Sequence, residues 1–339
     1  MKHRIALIGL GMAVTPHAKS LVDLAARAEV AAAVSPTAAR RDGFAARFPF
    51  PVSGDLDTVL ADRSITAAAV LTPPNTHLEI VTALARAGKH VLLEKPLDVS
   101  TARAESLVAA CDKAGVTLGI VLQHRFKPAA ERLTALLGDG ALGTIVSCST
   151  SIRLWRPQRY YDEPGRGTRA RDGGGVLMTQ GIHTLDLLLS LMGPVAEVTG
   201  FATTSAVHRM ETEDLVAAAV RFANGAYGVI DATTAAYPGS AERIEVAGTR
   251  GSASLAGTAL SVAWHDGQTE QIAADESPGG TGADPMAFPH DYHLGVWRDF
   301  LDAIEQKRPP RVSGAAGLAV HRLIDALLAA GATGGRVTL

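Results

Sequence analysis

Short apolar runs at Ile5–Ile8, Val30–Val34, Ala67–Leu71, His90–Leu93 and Thr117–Leu122 punctuate the first 122 residues. Each is too short for a stable helix and suits a buried strand. Between them, stretches near 15–27, 37–47, 75–87 and 101–114 carry helical periodicity, and Gly88 and Gly115 stand where C-caps belong after the last two. Strands alternating with helices predict a parallel sheet with right-handed crossovers, covered on both faces: a doubly wound α/β domain over residues 1–123. From residue 124 the rhythm changes. A helix near 127–137 and a strand over Thr144–Ile152 precede an arginine-rich loop and a helix near 176–192. Strand candidates follow near 195–204, 214–222, 226–235, 242–248 and 252–263, with turn signals at Asn224–Gly225 and Thr249–Arg250–Gly251. This predicts an α+β domain with a mostly antiparallel sheet over residues 124–339. Residues 275–285 read as a surface loop, and helices near 291–306 and 314–331 close the chain.

Composition narrows the class. The 339 residues suit two domains, and 47% hydrophobic against 19% charged residues describes a globular core rather than a disordered chain. Thirty-two basic against 34 acidic residues argue against a nucleic-acid partner, which needs basic excess. No apolar run in the sequence approaches the roughly 18 residues a membrane helix needs, so no membrane partner is expected. The apolar stretch after Met1–Arg4 superficially resembles a secretion leader. It contains Gly9 and Gly11 and is followed by no cleavage signal, so a first strand and a cytoplasmic location are the expectation. Cys111 and Cys148 are far apart, which excludes a disulfide scaffold and a cysteine zinc site. His290–Asp291–Tyr292–His293 lacks metal-ligand spacing and suits a surface or interface, so no metal is expected.

The first strand runs into Gly9–Leu10–Gly11–Met12–Ala13–Val14 at the start of a helix, where a dinucleotide fingerprint belongs. Gly9 permits the tight turn, Gly11 admits a pyrophosphate, and the helix N-terminus supplies N–H donors; the third glycine position is Val14. After the second strand come Ser35, Pro36, Thr37 and then Arg40–Arg41, without the carboxylate that would hold an unphosphorylated ribose. Hydroxyls and guanidinium groups suit a 2′-phosphate, so NADP is favoured over NAD. Ser35 as N-cap with Pro36 at N1 is an equally good reading of those residues. Thr72–Pro73–Pro74–Asn75–Thr76–His77 follows the third strand, where ligand contacts or a plain helix start are both possible. Glu94–Lys95–Pro96 places two charges at the end of a buried strand.

Together with Gln123–His124–Arg125–Phe126, Gly173–Gly174–Gly175 and Gly181–Ile182–His183–Thr184–Leu185–Asp186, these motifs resemble the glucose-fructose oxidoreductase / inositol dehydrogenase / MocA (Gfo/Idh/MocA) family over essentially the whole length. The resemblance implies an N-terminal Rossmann domain and a C-terminal domain with an open, mostly antiparallel sheet that binds substrate and joins subunits into dimers or tetramers. It implies hydride transfer between NAD(P) and a secondary alcohol or ketone of a sugar, inositol or related cyclic polyol. It makes Lys95 a catalytic or substrate-polarising group, with Glu94 and Gln123 near the nicotinamide and His183 the substrate-side imidazole. The expected cofactor-side residues are Gly9, Gly11, Met12, Ala13, Ser35, Arg40, Thr72, Pro73, Asn75, His77, Glu94, Lys95 and Gln123. Four residues before the histidine, relatives carry Asp or Asn where this chain has Thr179, so a carboxylate–histidine relay at that pair is absent.

Oxidising an alcohol requires a proton acceptor beside the hydride acceptor. Lys95 serves as base if burial lowers its pKa, or as a cation stabilising an alkoxide; a cis bond at Pro96 would help fix it. Thr179, His183 and Asp186 fall on one helical face, with Asp186 in reach to orient His183. A satisfied core histidine packed among Leu185, Leu188 and Leu189 is the alternative. Lys95, His183 and Asp186 are therefore the expected catalytic residues. The three glycines before this helix suggest close approach to a ligand or the other domain. Residues 153–171 hold six arginines against Asp162 and Glu163, interleaved with Trp155, Tyr160 and Tyr161. They suit either an anionic substrate or a solvated loop. Lys95, Arg125, Trp155, Tyr161, Thr179 and His183 form the expected substrate set. Two other readings share the fold: a lyase or glycosidase that recycles NAD, and a non-catalytic metabolite or redox sensor.

Overall fold

The computed structural model describes residues 2–275 and 289–339. The first part runs β1 (His3–Ile8), α1 (Val14–Asp23), β2 (Ala28–Val34), α2 (Ala38–Ala45), β3 (Val52–Ser53), α3 (Asp57–Ala61), β4 (Ala67–Val70), α4 (His77–Arg86), β5 (His90–Glu94), α5 (Thr101–Ala114) and β6 (Leu118–Val121). All six strands are parallel, in the order β3-β2-β1-β4-β5-β6. The apolar runs are strands because both faces are covered: β4 and the centre of β5 are wholly buried. Gly115 closes α5 with a left-handed φ of 67°, and Ser100 caps its start by accepting from the Arg103 N–H. The start of α2 differs from the expected one. Thr37 occupies the N-cap position, while the Ser35 hydroxyl accepts the Thr37 N–H at 3.3 Å. Ser35–Pro36 is thus a turn before the helix. The Arg41 guanidinium holds it by donating to the Ser35 and Pro36 carbonyls at 2.7 and 3.0 Å.

The second part runs α6 (Pro128–Gly138), β7 (Ile145–Arg153), α7 (Gln158–Tyr161), α8 (Arg169–Asp172), α9 (Ile182–Met192), β8 (Val195–Thr203), β9 (Leu215–Phe222), β10 (Tyr227–Thr233), β11 (Arg243–Gly248), β12 (Gly251–Ala256), β13 (Ala259–Trp264) and β14 (Thr269–Ile272). Then follow α10 (Asp291–Gln306), α11 (Gly314–Thr333) and β15 (Arg336–Thr338). Nine strands form one sheet in the order β14-β13-β12-β11-β7-β10-β9-β8-β15, antiparallel except where β10 meets β7. The single strand expected over 252–263 is a hairpin, turned at Gly257 with φ 63°. The surface loop expected over 275–285 lies, after Asp275, outside the described residues.

Backbone contacts divide the chain into two compact units, residues 1–123 with 289–318, and 124–288 with 319–339. Residues 289–318 therefore return to the first unit instead of remaining with the second domain, because α10 packs on α1. Two helical runs correct the expectation about apolar length. Gly314–Thr333 and Arg169–Met192 are long and apolar enough to cross a membrane, yet half and two thirds of their apolar windows are buried in the protein. Core helices meet the same test of length and composition.

Candidate active site

In the first unit the strand order reverses between β1 and β4, the switch point outside whose carboxyl ends open α/β sheets bind ligands. Gly9 sits there at φ 100°, with its N–H on the Val34 carbonyl at 2.9 Å. A Cβ at Gly9 would lie 2.8 Å from the Leu71 backbone, so only glycine fits. A Cβ at Gly11 would meet nothing within 4 Å. The turn is thus tight against β4 and open at Gly11, which fits a pyrophosphate over the start of α1. Val14, in the third fingerprint position, is wholly buried and packs the helix down, whereas Met12 is exposed. At the end of β2, Ser35 is buried and Arg40 exposed.

Between β4 and α4, Thr72 and Thr76 share a hydroxyl hydrogen bond of 2.8 Å, and Pro73 and Asn75 are exposed. His77 departs from its expected cofactor role. It is buried, with Nδ1 3.1 and 3.2 Å from the Pro96 and Leu97 carbonyl oxygens and Nε2 2.8 Å from that of Thr72. Its ring holds the segment after Lys95 to the end of β4, and burial pushes its pKa down despite these bonds. The Lys95–Pro96 peptide is cis. Lys95 is half-buried, and Gln123 is buried at the end of the unit.

Glu94 uses both carboxylate oxygens: Oε1 lies 3.0 Å from His17 Nε2, and Oε2 accepts the Lys95 backbone N–H at 3.2 Å. Burial alone would raise its pKa, but the His17 hydrogen bond, with the Lys95 charge beside it, brings it below the usual value. His293, expected at a surface or interface, is instead buried against His17, and burial pushes its pKa down to about 3. His17, Glu94 and His293 bring three metal-ligating atoms within 4.8 Å of one another, a cluster that residue spacing did not reveal.

In the second unit a π-helical turn, Leu177–Gly181, leads into α9. At Gly175 the close approach is made by the chain itself: a Cβ there would fall inside the Glu213 carbonyl. Glu213 caps this helix, accepting the Gly175 and Leu177 N–H groups at 3.1 and 3.2 Å. Thr179 bonds the Gly175 carbonyl at 2.7 Å. Asp186 does not serve as first expected. Its wholly buried carboxylate takes the Arg125 guanidinium on both oxygens, at 2.7 and 2.5 Å, a charge-assisted fork that an imidazole cannot offer. Burial still pushes the Asp186 pKa up, with Arg125 opposing. His183 remains partly exposed and lies against the His124 ring, with centroids 5.0 Å apart.

The arginine-rich loop is largely engaged with its own neighbours. Arg166 lies 4.5 Å over the Tyr160 ring and bonds Glu163, Arg153 pairs with Asp231, and Arg156 is buried. Tyr161 is a core residue rather than a substrate contact: its hydroxyl meets Thr234 at 2.7 Å and burial raises its pKa. Trp155 packs edge-on to Tyr237. Tyr160, interleaved with these arginines, has a phenol oxygen that accepts from Arg166 at 3.1 Å and from Gln180, the neighbour of Thr179, at 3.3 Å. A concavity of about 430 Å³ lies on the sheet between β7 and β14, lined by residues such as Ser147, Ser149, Glu245, Ser261 and Gln271. It contains none of the expected site residues.

Residues 3–121 match the oxidoreductase family with an NAD-binding Rossmann fold, and residues 130–254 match the GFO/IDH/MocA C-terminal domain. A myo-inositol 2-dehydrogenase of Thermotoga maritima is 28% identical over 78% of this chain and 76% of its own. A D-xylose 1-dehydrogenase (NADP(+)) of Haloferax volcanii is 26% identical over 92% of each chain. Among solved structures, the WlbA dehydrogenase of Bordetella pertussis, in complex with NADH and UDP-GlcNAcA, superposes with TM-score 0.85 at 28% identity, covering 100% of this chain and 99% of its own. With a six-stranded parallel sheet carrying the glycine turn and Glu94–Lys95–Pro96, and both halves matched, the chain belongs to the Gfo/Idh/MocA family of oxidoreductases.

Proposed function

We propose that the protein moves a hydride between NAD(P) and a secondary alcohol or ketone of a sugar, inositol or related cyclic polyol, with Lys95 and His183 as its catalytic residues. The observation that carries this reading is the end of β5, where a half-buried lysine follows a carboxylate locked to its own backbone. Held by its pyrophosphate at the glycine turn, a nicotinamide dinucleotide would supply the hydride acceptor or donor. In this reading Lys95 acts as a cation that polarises the substrate oxygen rather than deprotonating it. His183 takes the proton in this reading, an imidazole being able to accept one on its unprotonated ring nitrogen. Arg125 and Asp186 support it by fixing the helix that carries it. Thr179 and Tyr160 suit contacts to substrate hydroxyls.

NADP is the preferred cofactor in this reading, because the turn after β2 offers Ser35, Thr37 and the exposed Arg40 and no carboxylate. The protein works in the cytoplasm as a homodimer or homotetramer, with no nucleic-acid or membrane partner. The open face of the nine-stranded sheet supports self-association: Phe201 and Tyr227 are 72% and 64% exposed there, flanked by Val229.

The test is a panel of polyols, sugars and sugar acids assayed with NADP and NAD separately, on wild type, Lys95→Ala and His183→Ala. Wild type should reduce the nicotinamide with at least one cyclic polyol or sugar. Each variant should lose about a hundredfold or more in kcat while binding cofactor within about twofold of wild type, by isothermal titration. Turnover without net reduced nicotinamide, or full kcat in either variant, would overturn the assignment.

A further inference from the structure

We propose that His17 is a positioning residue for Lys95, acting through Glu94, an inference that rests on the reading of Lys95 above. Three separated segments of the first unit meet here: α1 with His17, the end of β5 with Glu94, and α10 with Trp297 and His293. An indole N–H can only donate. The wholly buried Trp297 points its N–H at His17 Nδ1, 3.0 Å away, so that nitrogen must present its lone pair. Neutral His17 then carries its hydrogen on Nε2, which faces Glu94 Oε1 at 3.0 Å. With one oxygen held in this way, the other accepts the Lys95 N–H at 3.2 Å and sets the peptide from which the lysine side chain leaves the strand. His293 packs edge-on to His17 at 5.1 Å and walls the ring in.

The same three groups could be read as metal ligands. That reading needs a lone pair on His17 Nε2, and the Trp297 bond assigns a hydrogen there. The arrangement is a hydrogen-bonded relay from α10 through α1 to the lysine. Because α1 is also the helix that opens at the glycine turn, the relay ties the cofactor-binding turn and the lysine to one imidazole.

Two substitutions separate the ring's two bonds. His17→Gln places an amide N–H where Nε2 was and keeps the Glu94 bond. His17→Asn places an acceptor where Nδ1 was and keeps the Trp297 bond. We expect His17→Asn to lower kcat at least tenfold with the cofactor Kd within twofold, and His17→Gln to stay within threefold of wild-type kcat. In ¹H–¹⁵N spectra the Lys95 amide should shift in His17→Asn and not in His17→Gln, with the Trp297 indole signal behaving the opposite way. This spectroscopic arm reads the relay even if no polyol is oxidised, so its failure is distinct from failure of the proposed function. Trp297→Phe, which leaves His17 in place, should also shift the Lys95 amide. Equal effects of Gln and Asn on kcat and on the Lys95 amide would reduce His17 to packing. Wild-type activity lost to EDTA and regained with zinc would show a metal site instead. Either result overturns the proposal.

Discussion

An alanine would meet opposite surroundings at Gly9 and Gly11, although the two stand one residue apart. At Gly9 its Cβ would collide with the Leu71 backbone at a φ of 100°, and at Gly11 it would enter open space. The fold requires the first glycine, whereas nothing around the second does. Similar sorting applies to the charged residues of α2. Arg41 already serves two carbonyls of the turn before the helix, whereas Arg40 is exposed beside it. A 2′-phosphate at this turn would gain a charge-assisted partner from Arg40. Arg40→Ala should therefore raise the KM for NADP about tenfold, the equivalent of about 1.4 kcal/mol, and leave that for NAD nearly unchanged. Initial-rate assays with each cofactor check this. An equal change for both cofactors would take Arg40 out of the site.

At the scale of elements, α9 and α10 owe their positions to residues distant in sequence. The turn before α9 has no side-chain cap of its own; Glu213, more than thirty residues on, supplies it from the approach to β9. α10 rests on α1 through a buried edge of His17, Trp297 and His293. This packing gives stability a pH dependence with a definite sign. Burial pushes the His293 pKa from 6.5 down to about 3, with the Glu94 charge opposing. Between those values the unfolded chain binds a proton that the folded chain does not. The contribution is complete above pH 6.5 and is lost as pH falls towards 3, at about 1.4 kcal/mol per pH unit from this group. In urea titrations between pH 6 and 4, wild type should lose stability more steeply than His293→Phe. Parallel slopes would mean that His293 charges in the folded protein.

For the whole molecule, the nine-stranded sheet has one face under helices and one open. Val198, Val216, Val220 and Ile230 point into the core, while Phe201, Tyr227 and Val229 alternate with them on the opposite side. A second copy seated on that face would remove these side chains from water. Phe201→Glu should then shift the protein towards the monomer in sedimentation experiments, with its far-ultraviolet circular dichroism unchanged. An oligomer of undiminished strength would place the interface elsewhere. The alternation that marks this face is a local property, and so are the buried strands of β1 to β6, the glycine turn and Glu94–Lys95–Pro96; all are readable from neighbours a few residues apart, since strand period, turn chemistry and capping act over that range. β3, β14 and β15 are two to four residues long and exist only through their ladders, so no local pattern announced them. Pairings across sequence were equally hidden. Trp297 reaches His17 over 280 residues, Arg125 takes Asp186, and Glu213 closes on Gly175. The sequence alone determined where the longer strands and helices lie and where the glycine turn and Glu94–Lys95–Pro96 fall among them, because backbone and side-chain preferences are short-ranged. Only tertiary packing decided the partner of each buried charge, because removing a polar group from water makes it bond to whichever complementary group the fold brings within reach.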